Sequence, residues 1–286
     1  MKPFKFLEPK TLKEACSMLS QYKEEARLIA GGQSLVPMLK HRLIDPKYII
    51  DLKGIADLSY IKEDKDGLRI GALTSQRDVE TSAIVKKRFL VLAEAEHSVG
   101  AVQIRNWGTI GGSLAEADPS GDPAPALIAL GGRIKATSTR GQREIALEDF
   151  FIDYLENALE ADEILSEIIL PYPAAKSGGS YVKEVVRVGD TGIASVAVVV
   201  TLNGQDKVKE ARIVLGAQAS TPIRAKGAEK AAVGKGAGDD MEDVGEAVAR
   251  EANPAPDVLG SVEYKTGLSK VITKRALETA INRAKS

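Results

Sequence analysis

Leu28-Ile29-Ala30-Gly31-Gly32-Gln33-Ser34-Leu35-Val36-Pro37-Met38 reads as a short buried strand that enters a glycine turn and leaves it as a helix. The apolar run Arg27-Leu28-Ile29-Ala30 is bounded by Gly31-Gly32, and helical character resumes from Val36 to Lys40. Upstream, Thr11 followed by Glu14 is a capping-box signature. Leu12, Ala15, Cys16 and Leu19 then recur at helical spacing within 11–25. Cys16 sits on that apolar stripe and reads as a core residue rather than a reactive thiol. Downstream, Tyr48-Ile49-Ile50-Asp51-Leu52 predicts a second strand. Strand, helix and strand in this order predict a small α/β unit.

From about residue 58 the pattern changes. Tyr60-Ile61 and Leu68-Arg69-Ile70, joined across Asp66-Gly67, predict a hairpin. Helices are expected near 76–85 and 88–99, then a long irregular segment over 100–122, a length that compact domains keep for a binding task. A helix at 123–130 and strands near 132–138, 143–147 and 163–170 follow, the last ended by Pro171 and Pro173. Lys176-Ser177-Gly178-Gly179-Ser180 reads as a linker. Beyond it, strands near 181–188, 193–202 and 208–217 predict a three-stranded antiparallel meander, the last two joined by Asn203-Gly204. Helices are expected over most of 222–252 and over 263–284, with the Gly/Ala-rich stretch at 225–238 as a loop. The expected division is 1–175, in parts of about 1–57 and 58–175, followed by 176–286.

Composition narrows the chemistry. Thirty-nine basic residues nearly cancel forty acidic ones, so no large field points to nucleic acid, an acidic membrane or a polyanionic substrate. Cys16 is the single cysteine and His41 and His97 the two histidines, which excludes a disulfide, an iron–sulfur centre or a histidine-rich metal site within the chain. Met1 to Phe6 lack a signal-like apolar stretch and no apolar run reaches membrane-span length. A reducing cytoplasm is the expected compartment, and any redox chemistry calls for an organic cofactor.

A second glycine turn, Thr109-Ile110-Gly111-Gly112-Ser113-Leu114-Ala115, lies inside the irregular segment. One Gly-Gly pair is compatible with an ordinary turn. Two such loops, each with a hydroxyl residue, suit an anion: glycines let backbone N–H groups converge with no Cβ in the way, and a following helix adds the positive end of its dipole. A diphosphate bridge is the ligand such loops fit. Neither loop is a Rossmann fingerprint, and Gly234-Lys235-Gly236-Ala237-Gly238-Asp239 has no strand before it and lacks the third glycine at its place. There is no P-loop and no nucleophile elbow, so no catalytic side chain is assigned.

With their flanks, the first loop over 28–38 and the second over Gln103-Ile104-Arg105-Asn106-Trp107-Gly108-Thr109 to Asp118-Pro119-Ser120-Gly121-Asp122 resemble the FAD-binding loops of the medium subunits of the xanthine dehydrogenase and carbon monoxide dehydrogenase family of molybdenum hydroxylases. The likeness continues through Leu68-Arg69-Ile70-Gly71-Ala72-Leu73-Thr74, Gly189-Asp190 and Tyr264-Lys265. It implies an α+β fold: a two-part FAD-binding domain of the vanillyl-alcohol (PCMH) type, then a smaller α+β C-terminal domain with a three-stranded antiparallel sheet and helices. It also implies FAD as cofactor and two partners, a molybdopterin-binding large subunit and a [2Fe–2S] small subunit, assembled as a dimer of heterotrimers. The subunit's FAD would pass electrons from the clusters to NAD, a quinone, a ferredoxin or oxygen.

Carried over by position, Leu28, Ile29, Ala30, Gly31, Gly32, Gln33, Ser34 and Leu35 would wrap the diphosphate, with Thr109, Ile110, Gly111, Gly112 and Ser113 on its other side. Asp122 would bond the nucleotide, Val99 and Leu165 would pack along the cofactor, Lys183 would lie at the flavin's polar edge and raise its potential, and Asp190 would approach N5. Asp118 reads as a turn cap, and Asp122 as a cap for the 123–130 helix as well as a ligand. Many relatives carry an aromatic after Gly-Asp where Thr191 stands, and Lys183-Glu184 replaces the commoner basic-aromatic pair; the first departure leaves open what covers the flavin ring. Two other readings are a self-contained FAD-dependent oxidoreductase of the same fold and a non-catalytic nucleotide-binding scaffold.

Overall fold

The structure, a computed structural model, describes residues 2–285; Met1 and Ser286, the outer limits of the two expected domains, lie outside it. β1 (Lys5–Leu7), helix α1 (Leu12–Tyr22), β2 (Ala26–Ile29), α2 (Leu35–Lys40) and β3 (Tyr48–Asp51) form the first unit, its parallel sheet ordered β1-β3-β2. The central strand carries Ile49 and Ile50, both fully buried, as a strand covered on both faces must. Ala15, Cys16 and Leu19 pack on it as one cluster, and burial pushes the Cys16 thiol up from its ordinary value. Thr11 Oγ1 accepts from Glu14 N (3.1 Å), while Glu14 reaches back to Lys10 N (2.8 Å). β1 is an element the apolar pattern does not announce.

The second unit comprises β4 (Ile61–Asp64), β5 (Gly67–Gly71), helices α3 (Gln76–Thr81), α4 (Ala83–Arg88), α5 (Leu90–His97), α6 (Val102–Trp107), α7 (Ile110–Glu116) and α8 (Pro123–Ala129), then β6 (Arg133–Ser138), β7 (Gly141–Ala146), β8 (Phe151–Asp153), β9 (Glu156–Asn157) and β10 (Ile164–Pro171). Its five-stranded sheet runs β4-β5-β10-β6-β7, antiparallel throughout, with a register shift between Leu165 and Glu167 on β10. The expected pair of helices at 76–85 and 88–99 is three helices, broken at Ser82 and Phe89. The expected irregular stretch 100–122 contains α6 and α7, each under two turns and so too short to show a period.

β11 (Ser177–Glu184), β12 (Ala194–Leu202), β13 (Val208–Gly216) and β14 (Ile223–Arg224) build the last sheet, followed by α9 (Lys226–Ala232), α10 (Glu242–Glu251) and α11 (Val262–Lys285). Three expectations change here. The sheet has a fourth, two-residue strand. The Gly/Ala-rich stretch is half helix. Residues 177–180, expected as a linker, pair with β12 from Ser177↔Thr201 to Ser180↔Val198. The glycines serve packing, since a Cβ at Gly178 would stand 2.5 Å from Ala284 N on α11. β12 is shared by two cores in the alternation a strand imposes: Ala197 belongs to the cluster with α5 and α8, while Val196, Val198 and Val200 belong to the cluster under α11. Arg283 on α11 donates to both carboxylate oxygens of Glu94 on α5 (2.5 and 3.0 Å) and to Gly179 O (2.7 Å), tying the last helix to the second unit.

Candidate functional site

A cleft of about 590 Å³ opens between the first two units. Residues 28–35 line one side of it, and Thr109, Gly111, Gly112 and Ser113 line the other, with Val99 and Leu165 also in the wall. Ile110 lies beneath, fully buried. The two loops touch. A Cβ at Gly31 would run into the Trp107 carbonyl oxygen and stand 2.7 Å from Gly108 Cα, and one at Gly112 would reach Ala30 Cβ at 3.6 Å. Gly32 has φ +72°, a left-handed turn that side chains resist.

The loops differ in how their backbone donors are used. In the first, the N–H groups of Gly31, Gly32, Gln33, Ser34 and Leu35 enter no hydrogen bond among the described residues; the loop's carbonyls are engaged, by Val36 N on Gly32 O (3.1 Å), Met38 N on Ser34 O (3.1 Å) and Gln33 Nε2 on Gly31 O (3.1 Å). In the second, Ile110 N donates to Thr74 O (3.1 Å), Gly111 N to Ala72 O (3.0 Å), Gly112 N to Thr109 Oγ1 (3.1 Å) and Ser113 N to Thr109 O (3.0 Å). Gln76 N on Gly108 O (2.9 Å) completes the stitching to 72–76. The expectation that both loops present free backbone donors therefore needs correction. Residues 109–113 are the N-terminal turn of α7, whose orphan donors Thr109 caps and a neighbouring strand end satisfies. Two hydroxyl residues of this loop, Thr109 and Ser113, line the cleft.

Asp122, Lys183 and Asp190 do not line the cleft. Lys183 Nζ donates to Asp122 Oδ2 (2.8 Å) and Ser98 O (3.1 Å), and Tyr181 OH to Asp122 Oδ1 (2.6 Å), with the Lys183 and Asp122 side chains each 6% exposed. Burial raises the Asp122 carboxyl above its ordinary value against the pull of Lys183 and Tyr181. Asp122 thus makes no side-chain cap for α8, contrary to its reading as a helix cap, whereas Asp118 accepts from both Ser120 N (2.8 Å) and Ser120 Oγ (2.6 Å) as a turn cap does. Through Ser98 O the ion pair is tied to the residue that precedes Val99 of the cleft wall. Asp190 is exposed, in a turn where Gly189 lies over Gly100 and Gly192 over the Lys183 chain. Thr191, in the place of an aromatic, is exposed.

Three residues in the cleft wall escaped the sequence reading. Glu116 accepts from Ser34 Oγ at 2.5 Å, bridging the loops, and burial raises its carboxyl above the ordinary range. The spacing Thr109, Gly112, Ser113, Glu116 is one helix face and could have revealed it. Gln76, 3% exposed, places its side chain against Gly108 Cα, where a Cβ would meet Oε1 at 2.5 Å. Asn157 Nδ2 donates to Ala115 O (2.7 Å), which pins the β8–β9 hairpin to α7. Among the described residues no group of three or more His, Cys, Asp or Glu could hold a metal, and no helix is long and apolar enough to cross a membrane.

Residues 2–173 match the family described as FAD binding domain in molybdopterin dehydrogenase, and 180–280 that described as CO dehydrogenase flavoprotein C-terminal domain. The carbon monoxide dehydrogenase medium chain of Afipia carboxidovorans is 35% identical over 99% of this chain and 98% of that one. The glyceraldehyde dehydrogenase medium chain of Sulfolobus acidocaldarius is 34% identical over 96% of this chain and 97% of that one. Carbon monoxide dehydrogenase from Hydrogenophaga pseudoflava superposes with a TM-score of 0.95 at 36% identity, covering 99% of each chain.

Proposed function

Because this chain belongs to the family of FAD-binding medium subunits of molybdenum hydroxylases, we propose that it is the flavoprotein component of such a complex: an oxidoreductase subunit that receives electrons from the [2Fe–2S] clusters of a small partner subunit, themselves reduced by a molybdopterin-binding large subunit, and delivers them through FAD to an external acceptor. In this reading it works in the cytoplasm within a dimer of heterotrimers, its PCMH-type FAD domain spans 1–175, in parts of about 1–57 and 58–175, and its C-terminal flavoprotein domain spans 176–286.

The observation that carries the reading is the contact of two glycine loops in one cleft, with five unpaired backbone donors on the first. The cradle fits the cofactor. The missing Cβ at Gly31 lets the two loops close on each other, the donors are neutral groups suited to a diphosphate, and the cleft volume lies in the range of small-molecule pockets. Residues 28–35 would bind the diphosphate through N–H groups, Thr109 and Ser113 would add hydroxyl donors, and Val99 and Leu165 would pack against the rings. Bound FAD supplies the redox chemistry, taking electrons singly and releasing them singly or as a hydride. Lys183 would act from beside Ser98, its charge favouring a reduced, anionic ring while Asp122 holds it in place; Asp190 would stand at the rim. Expressed with its partner chains, the complex should contain molybdenum, iron and flavin in fixed ratio, and the purified chain should take up one FAD. A chain that takes up none rejects the reading.

A further inference from the structure

The cleft holds two neighbouring surfaces of opposite preference. The N–H groups of 31–35 attract an anion. Glu116, at the end of α7, stands one hydrogen bond away, accepting from Ser34 Oγ at 2.5 Å. Among the described residues no cationic side chain pairs with this carboxylate, and Ser34 is its only hydrogen-bond donor. Arg27, also in the wall, donates instead to the carbonyls of Glu24 (3.0 Å) and Ala26 (2.9 Å). A bare diphosphate would be drawn to one surface and repelled by the other. A ligand satisfies both only if hydroxyl groups follow directly on its phosphates, because a hydroxyl donates to a carboxylate and a vicinal pair can bridge both oxygens.

We propose that Glu116 accepts the sugar hydroxyls that flank the diphosphate of the bound dinucleotide, fixing which part of the ligand lies beside the 31–35 loop. This rests on the FAD reading above and goes beyond it, since it assigns the carboxylate a direct contact. Ser34 then works at the junction, its N–H toward phosphate and its hydroxyl toward Glu116. Two sugars flank the diphosphate of FAD, the adenosine ribose and the flavin ribityl chain, and the same acceptor chemistry suits either.

The test titrates the full apo chain with FAD, following loss of free flavin fluorescence, and with ADP by calorimetry, for wild type, Glu116→Gln, Glu116→Ala and Ser34→Ala. Melting of each apo variant checks that the fold is kept. Loss of hydrogen bonds to a charged acceptor predicts FAD binding weaker by about 10-fold to 100-fold in Glu116→Gln and Glu116→Ala. An equal loss with ADP assigns the ribose, and a loss confined to FAD assigns the ribityl chain; both support the proposal. Glu116 variants that bind FAD as tightly as wild type or more tightly overturn it, because the carboxylate then only repels phosphate. A loss in Ser34→Ala equal to that in Glu116→Gln also overturns it, because Glu116 then acts only by holding Ser34. Wild type that binds neither ligand sinks the FAD reading and this assignment together, an outcome distinct from the other two.

Discussion

The two glycine loops look alike as sequence and are opposite as chemistry. The N–H groups of Gly31 to Leu35 find no acceptor among the described residues, whereas those of Ile110 to Ser113 are all bonded, to Ala72, Thr74 and Thr109. The difference comes from what surrounds each. The first loop joins β2 to α2 beside the cleft, with no acceptor for its N–H groups among the described residues; the second is the start of a helix laid against the end of β5. A polar group already paired inside the protein serves the fold, and one left unpaired beside a cleft serves a ligand. Substitutions in each class should register in different measurements.

The largest effect is expected at Gly31. Gly31→Val drives a side chain into the Trp107 carbonyl and separates the loops, so FAD uptake should fall by more than about 100-fold. A variant that still purifies with one flavin per chain would break the distinction at its strongest point. Lys183 belongs to the paired class. Lys183→Met strands a buried Asp122 carboxylate, a loss of about 3–5 kcal/mol, and the melting temperature should drop on the order of 5–15 °C. Unchanged melting would mean that the ion pair does not hold the chain at Ser98.

Thr109→Ala removes the α7 cap. It should cost about 1 kcal/mol, or roughly 2–4 °C, and weaken FAD binding less than any change at Gly31. Glu96 sharpens the rule by a different combination. It is fully buried with neither carboxylate oxygen hydrogen-bonded, and it does not line the cleft. Burial, with Asp122 and Glu80 nearby, raises its carboxyl well above the ordinary value. Between the ordinary and the raised value the folded chain holds a proton that the unfolded chain has released, so stability falls as pH rises through that window. Glu96→Gln should flatten this slope, gaining about 2 °C over wild type at pH 8 and almost nothing at pH 5; parallel melting curves at both pH values would contradict it.

How much of this was legible in the chain depended on distance. Strand, turn and helix at 26–40 are local, and their residues declare them. So is the hydroxyl beside each Gly-Gly pair. The pairing of Lys183 with Asp122 joins residues 61 positions apart, and no local pattern carries it. Donor occupancy was hidden for the same reason, because the acceptors for 110 and 111 are Thr74 and Ala72, far back in the chain just beyond the end of β5. The linker expectation at 176–180 failed through chemistry common to both outcomes: glycine and serine suit a flexible tether, and they equally suit a strand pressed flush against a helix, as Gly178 is against α11. Glu116 gives no signal of this kind: a glycine turn advertises backbone donors, and Glu116 is an acceptor.

β12 contributes Ala197 to one core and Val196, Val198 and Val200 to another. It is a party wall between neighbours, and neither house stands weatherproof without it. Severing the polypeptide near 176 would bare an oily face on each fragment, and the turn that rests on Gly100 would leave with the wrong half. The turn beside Gly100, next in sequence to Val99 of the cleft wall, is therefore in place only when the last third of the chain has arrived.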